Sequence, residues 1–221
     1  MSKAIIFDMD GLMVNSTSTW GDAEKRLVED YGKKYILEWT KKYNGMRVQG
    51  MIQVMIKEYE LPTTQEEGER KLKEYAKINF NKPNIELLPG CERLVKELST
   101  SKKYLMAIAS SSPIEIIKTV VKRFGFENYF NVLLSGEEVV NGKPAPDVYL
   151  KTAELLKVSP SDCIVLEDAP NGIKAGKGAG MKVIAVSNKP HYSPSDFSEA
   201  DKYVRSLEEV NVGLIESIFN S

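Results

Sequence analysis

The chain has 221 residues, 42% of them hydrophobic, with 30 basic against 31 acidic side chains and a formal net charge of −1. That length suits one or two domains, and the charge balance, with no long basic block, argues against a nucleic-acid partner. No apolar run reaches the roughly 18 residues needed to span a bilayer, and Met1 is not followed by a signal-peptide pattern, so a soluble protein of the cytoplasm is the expectation, and a monomer is expected as well. The cysteines, Cys91 and Cys163, form no CxxC and suggest no disulfide.

The first predicted element is an apolar strand that runs into Asp8 and Asp10 within Ile5–Gly11, IIFDMDG. Extended backbone sends side chains i and i+2 to the same side, so both carboxylates face one site, and Gly11 permits a sharp exit. Two adjacent negative charges call for a compensating cation. From Val14 to Ile85 helical periodicity takes over, with stripes at Met51, Val54, Met55 and Tyr59 and at Leu72, Tyr75 and Ala76. Between them Glu60-Leu-Pro stops a helix, and Thr63 with Glu66 is a possible cap for the next. Residues 14–85 are therefore expected to form a helical cap, and residues 1–13 with 86–221 the core.

After Leu88-Pro89-Gly90 strands and helices alternate. Tyr104–Ala109 reads as a buried strand, followed by Ser110, Ser111, Ser112 and then Pro113 at a helical N1 position. Ile116, Ile117, Val120, Val121 and Phe124 form one helical stripe that ends at Gly125. Next come Val132–Leu134, a Gly-Lys-Pro loop with Lys143, and a helix carrying Val148, Ala153, Leu155 and Leu156. Cys163–Leu166 and Lys182–Val186 are further short strands, the first followed by Glu167 and Asp168. Strict alternation implies an α/β fold with a Rossmann-like parallel sheet, whose functional groups collect beyond the carboxyl ends of the strands.

Four polar clusters fall at such ends: Asp8 with Asp10, Ser110 with Ser111, Lys143, and Glu167 with Asp168. Each has a plain structural reading, since a serine caps a helix, a lysine sits in a solvated turn, and acids cap the helix that begins near Gly172. Together they supply what phosphoryl transfer needs: a nucleophile, a proton shuttle and charge relief for the phosphoryl oxygens. Oxygen donors without a His/Cys set favour magnesium over zinc. His191, in a Pro-rich loop, reads as a surface residue, and Trp39 and Tyr43 as packing in the cap.

These motifs, FDMDG at Phe7–Gly11, ASSS at Ala109–Ser112, NGKPAPDVY at Asn141–Tyr149 and LEDAPNGIKAGKGAGM at Leu166–Met181, resemble those of the haloacid-dehalogenase-like phosphotransferases. The likeness is to their phosphoglucomutase and sugar- or nucleoside-phosphatase branch with a helical cap. It implies that Asp8 is the nucleophile that becomes an aspartyl phosphate, and that Asp10 protonates the leaving oxygen and then activates water. It further implies phosphate contacts from Ser110, the Ser111 backbone and Lys143. Magnesium would be held by Asp8, the Asp10 carbonyl and Asp168, with Glu167 direct or through water. The substrate class implied is a small phosphorylated metabolite.

Two positions depart from the family pattern. Asn15-Ser16 stands where Asp precedes Ser or Thr, and Trp20 stands where mutases of the branch usually carry histidine. The second departure favours net hydrolysis over a phosphosugar mutase, with a non-enzymatic binding protein as a third reading that the presence of both Asp8 and Asp10 opposes. Substrate choice is expected in the cap, at Trp20 and at Arg47 after the Asn44-Gly45 turn, with Gln49 and Lys57 as further polar groups.

Overall fold

The structure, a computed structural model, describes residues 2–43, 45–187 and 193–221, with Lys41 described by its backbone alone. Its centre is a parallel sheet of β1 (Lys3–Phe7), β2 (Tyr104–Ser110), β3 (Val132–Ser135), β4 (Cys163–Glu167), β5 (Lys182–Val186) and β6 (Lys202–Val204), in the order β3-β2-β1-β4-β5-β6. Phe7 of β1 pairs with both Ile108 and Leu166, so three strands run out at one edge. The chain turns to one side of β1 for β2 and β3 and to the other for β4 to β6. A crevice forms at such a reversal of strand order.

Both faces of the sheet are covered, which is why its strands read as near-continuous apolar runs. Ala4 and Ile6 bury against α6 (Asp147–Leu156) and α7 (Pro170–Gly178), while Ile5 and Phe7 join Leu94, Val95, Ile116 and Ile117 of α4 (Cys91–Ser101) and α5 (Ile114–Arg123). Successive residues of β1 thus serve opposite layers. The chain closes with α8 (Val212–Phe219), whose Ile215 and Ile218 join the second of these clusters.

Between β1 and α4 the chain inserts α1 (Thr17–Asp30), a 3-10 turn at Leu37–Lys42, α2 (Val48–Tyr59) and α3 (Gln65–Phe80). Their apolar stripes face one another: Ala23, Leu27 and Val28 of α1, Met51, Ile52 and Met55 of α2, and Leu72, Ala76 and Phe80 of α3. Leu72 is fully buried, so its truncation to alanine would cost about 2–5 kcal/mol. The two connections to the core run side by side, with Leu88 N–H donating to Met13 O (2.8 Å) and Asn15 N–H to Glu86 O (3.1 Å). Gly11, at φ 85°, makes the exit from β1 that a side chain would strain.

Several local expectations shift. Thr64, not Thr63, caps α3 by accepting from Glu67 N–H (3.2 Å), because Thr63 lies one residue too early to reach the free amides of the first turn. Pro113 occupies the N-cap of α5 rather than N1. Leu155 is 46% exposed near the C-terminal end of α6, whereas Val148 and Leu156 are buried. Both cysteines are free and buried. His191 and Asn44 lie outside the described residues. Among the described residues no helix is long and apolar enough to cross a membrane.

Candidate active site

Asp8 is the first residue beyond β1, and its N–H continues the ladder to Leu166 O (3.0 Å), which fixes the backbone beneath the carboxylate. The side chain is buried and accepts from Lys143 Nζ at 2.7 Å. Lys143 also reaches Glu167 Oε1 (2.6 Å) and Ala109 O (3.2 Å), so one ammonium ties together the ends of β1, β2 and β4. Glu167 is itself pinned: Tyr149 O–H donates to Oε1 (2.7 Å), and Asp168 and Ala169 N–H donate to Oε2 (3.0 and 3.2 Å). Gly172 makes room for it, since a Cβ there would lie 1.7 Å from Glu167 Oε1.

The electrostatics are those of a crowded anionic centre. Burial raises the Asp8 carboxyl well above its usual range; Lys143 pulls it down, and Glu167, Asp168 and Asp10 push it up again. Burial alone would lower the Lys143 ammonium, yet Asp8 and Glu167 hold it well above the ordinary lysine value. One oxygen from each of Asp8, Glu167 and Asp168 lies within 4.8 Å of the others. Three carboxylates beside one ammonium leave an excess of negative charge on hard oxygen donors, which fits a divalent cation of the magnesium type and not a thiophilic metal. Glu167 already receives four donors, which occupy both of its oxygens.

Asp10, two residues on, is held from three sides. Ser112 O–H donates to Oδ2 at 2.6 Å and Ser110 O–H to the same oxygen at 3.0 Å, while Trp20 Nε1–H reaches Oδ1 at 3.1 Å from the cap. Ser112 N–H donates to Ser110 Oγ (3.0 Å), which locks the hydroxyl direction in the turn after β2. Asp8 and Asp10 both line a cleft of about 480 Å³ between the core and the inner face of the cap. That volume suits a small molecule.

A model of the family described as haloacid dehalogenase-like hydrolase matches residues 5–186. The chain belongs to that family. It is 36% identical, over 92% of its own length and 89% of the relative's, to a protein of Drosophila melanogaster named probable pseudouridine-5'-phosphatase. A Thermotoga maritima protein named phosphorylated carbohydrates phosphatase is 32% identical over 82% of this chain and 83% of that one. The crystal structure of a beta-phosphoglucomutase from Clostridium difficile superposes with a TM-score of 0.87 at 22% identity, covering 100% of this chain and 98% of that one. The hydrolase thus sits in the beta-phosphoglucomutase and sugar-phosphatase branch, with the inserted helical cap.

In this family member the polar groups picked out at the strand ends meet at one place: Asp8, Asp10, Ser110, Ser111, Lys143, Glu167 and Asp168 all line the cleft, and so does Trp20. Ser111 differs from its neighbours in that its hydroxyl donates to Gly45 O of the cap (3.1 Å). Arg47 does not line the cleft. Its Nη1 donates instead to Gly136 O (3.2 Å) and Val139 O (2.9 Å) of the core, and Nη2 is 3.5 Å from Gln49 Oε1. Gln49 and Lys57 also lie outside the lining.

Three contributors were not singled out in the sequence. Ser112 bonds Asp10 more closely than Ser110 does, and the run of three serines was the available signal. Tyr149, within the NGKPAPDVY motif, supports Glu167. Glu24, with Tyr35 and Tyr43, lines the roof; it stands four residues after Trp20, on the same helix face.

Proposed function

We propose that this protein is a magnesium-dependent phosphomonoester hydrolase acting on a small phosphorylated sugar or nucleoside through an aspartyl phosphate on Asp8. The observation that carries this reading is the pair of carboxylates in one cleft with opposite surroundings. Asp8 lies beside an ammonium that relieves charge on an incoming phosphoryl group, while Asp10 lies beside three donors that aim it. Asp8 attacks phosphorus as the ester bond breaks, and Asp10 delivers a proton to the departing oxygen. Asp10, now the base, then takes a proton from the water that releases phosphate. Lys143 stays fixed throughout, which keeps the electrostatic relief preorganised. Asp8 and Asp168, with the Asp10 carbonyl, would hold magnesium, which would offset the charge of the phosphoryl oxygens.

The names of the Drosophila and Thermotoga relatives, one a nucleoside-phosphate phosphatase and the other a carbohydrate-phosphate phosphatase, support the substrate class. The likeness to a beta-phosphoglucomutase keeps a phosphosugar mutase as the second reading. Phosphate release from a panel of monophosphates, followed together with isomer formation and titrated with magnesium, tests both. Asp8→Asn is expected to reduce release by at least about 10²-fold. Isomerisation without release would overturn the hydrolase reading, and full turnover by Asp8→Asn the covalent one.

A further inference from the structure

Glu24 is a carboxylate that the reaction described above does not use. It lies on α1, 5% exposed, in the roof of the cleft. Tyr35 O–H and Tyr43 O–H both donate to the same oxygen, Oε2, at 2.9 and 3.1 Å. Among the described residues nothing donates to Oε1, and no fully buried side-chain oxygen lacks a partner, so Oε1 is the part of Glu24 left open. Burial raises the carboxyl above its usual value, and the two hydroxyls offset only part of that rise.

A purely structural role explains this arrangement poorly, because a glutamine would satisfy both tyrosines without placing a charge in a largely buried position. The tyrosines are themselves braced. Tyr35 stacks on Tyr59 (6.3 Å between ring centroids), which meets Trp39 (4.8 Å) and exchanges hydrogen bonds with the Ile36 backbone (3.0 and 3.2 Å). Side chains four apart on a helix face lie about 5–6 Å from one another, so Glu24 is one turn deeper than Trp20, whose indole touches Asp10. A leaving group that extends from Asp10 along the Trp20 face of α1 therefore meets Glu24. Met46, Val48 and Met51 contribute apolar surface to the same cleft. Among the described residues the only cationic side chain in the lining is Lys143, already engaged by Asp8 and Glu167.

We infer that Glu24 is the specificity-determining acceptor of the cap, selecting phosphomonoesters whose leaving group is uncharged and presents a hydrogen-bond donor, a hydroxyl or ring N–H, to Oε1. A leaving group bearing a second phosphate meets the carboxylate instead and is rejected by like charge. The inference rests on the phosphatase reading and narrows it.

Glu24→Gln is the informative variant, since the amide oxygen still accepts from both tyrosines while the group facing the cleft turns from acceptor to donor. Initial rates of phosphate release are compared for sorbitol phosphate, uridine monophosphate, phenyl phosphate, which has no donor on its leaving group, and glucose bisphosphate. The ratio of kcat/KM for the better of the first two to that for phenyl phosphate is expected to fall at least about tenfold, in line with the loss of a hydrogen bond to a charged group. Discrimination against the bisphosphate is expected to narrow. Which of the first two probes loses more distinguishes hydroxyl from ring N–H recognition. Tyr35→Phe, which keeps the acceptor and loosens it, is expected to move the same ratios less.

Calorimetric binding of sorbitol phosphate and uridine monophosphate to the Asp8→Asn protein, with and without Glu24→Gln, reads the contact without turnover. Weaker binding on Glu24→Gln, together with no phosphate release from any probe by the wild-type protein, would retire the hydrolase reading and leave the role of Glu24 standing. Equal binding and equal rate ratios in both backgrounds would overturn the inference.

Discussion

The Trp20 indole N–H of the cap donates to Asp10 Oδ1 of the core at 3.1 Å, so the inserted domain helps to set the direction of the carboxylate proposed as proton shuttle. Ser110 and Ser112 hold the other oxygen from below. Asp10 is therefore fully aimed only when the cap lies against the core, which in the proposed reaction would couple enclosure of the cleft to proton transfer. Trp20→Phe keeps the T-shaped packing on Phe80 (5.7 Å) and removes only the donor. Hydrogen bonds to charged groups are worth about 1.5–3 kcal/mol, so kcat is expected to fall by roughly tenfold or more. Trp20→His, which can retain a ring N–H, should recover part of the loss. Steady-state phosphate release by the three proteins decides the matter, and an unchanged kcat in Trp20→Phe would remove the cap from control of Asp10.

At the floor of the cleft the sensitive position carries no functional group at all. A Cβ on Gly172 would overlap Glu167 Oε1, at 1.7 Å, and the Glu167 Cδ at 1.9 Å. Glu167 cannot swing aside without leaving Lys143, Tyr149 and two backbone N–H groups. Gly172→Ala is thus expected to lose about 1–3 kcal/mol of stability by overpacking and more than about tenfold in phosphate release, because Lys143 moves with its partner. Urea unfolding together with a rate assay checks both. A variant with normal activity would show that the Lys143–Glu167 pair is not needed where it stands.

How much was readable beforehand follows from where each residue sits. Asp8, Lys143 and Asp168 directly follow apolar runs or a turn signal, and a parallel sheet delivers strand ends to a common edge, so their meeting was legible from order alone. Glu24 and Tyr149 arrive on helices, and which face of a helix meets the site depends on packing between elements rather than on local pattern. The slip from Thr63 to Thr64 has a related cause: either threonine satisfies the sequence rule, and only the geometry of the first turn chooses between them. Strand β6 is three residues long with a single buried side chain, Val204, which leaves little alternation to detect.

Arg47 illustrates the opposite case, a charge that sequence suggested for substrate choice and that the structure turns toward Gly136 O and Val139 O. With Ser111 O–H on Gly45 O and the Lys73–Glu137 ion pair at 2.7 Å, it fastens the cap to the core. Arg47→Ala is expected to lower kcat/KM several-fold for all monophosphates alike, since loss of a fastening affects closure whatever the leaving group. A change in the order of preferred substrates, measured over the same panel, would instead return Arg47 to specificity.

The roof carboxylate carries a stability signature that separates a binding role from a packing role. Burial raises the Glu24 carboxyl above its unfolded value, an effect that hydrogen bonds from Tyr35 and Tyr43 reduce without cancelling. A carboxyl whose pKa rises on folding binds protons more tightly in the native state, so its contribution to stability is fully present below the unfolded carboxyl pKa and is lost as pH rises through the folded one. Glu24→Gln has no proton to lose. Relative to wild type it should therefore gain in melting temperature as pH rises from the acid range to neutrality, by about 2–4 °C for each kcal/mol relieved. Differential scanning calorimetry at several pH values reads the trend directly. If Glu24→Gln instead loses stability toward neutral pH, the charged form is what the fold prefers, and Glu24 belongs to the scaffold of the cap rather than to its substrate-facing surface.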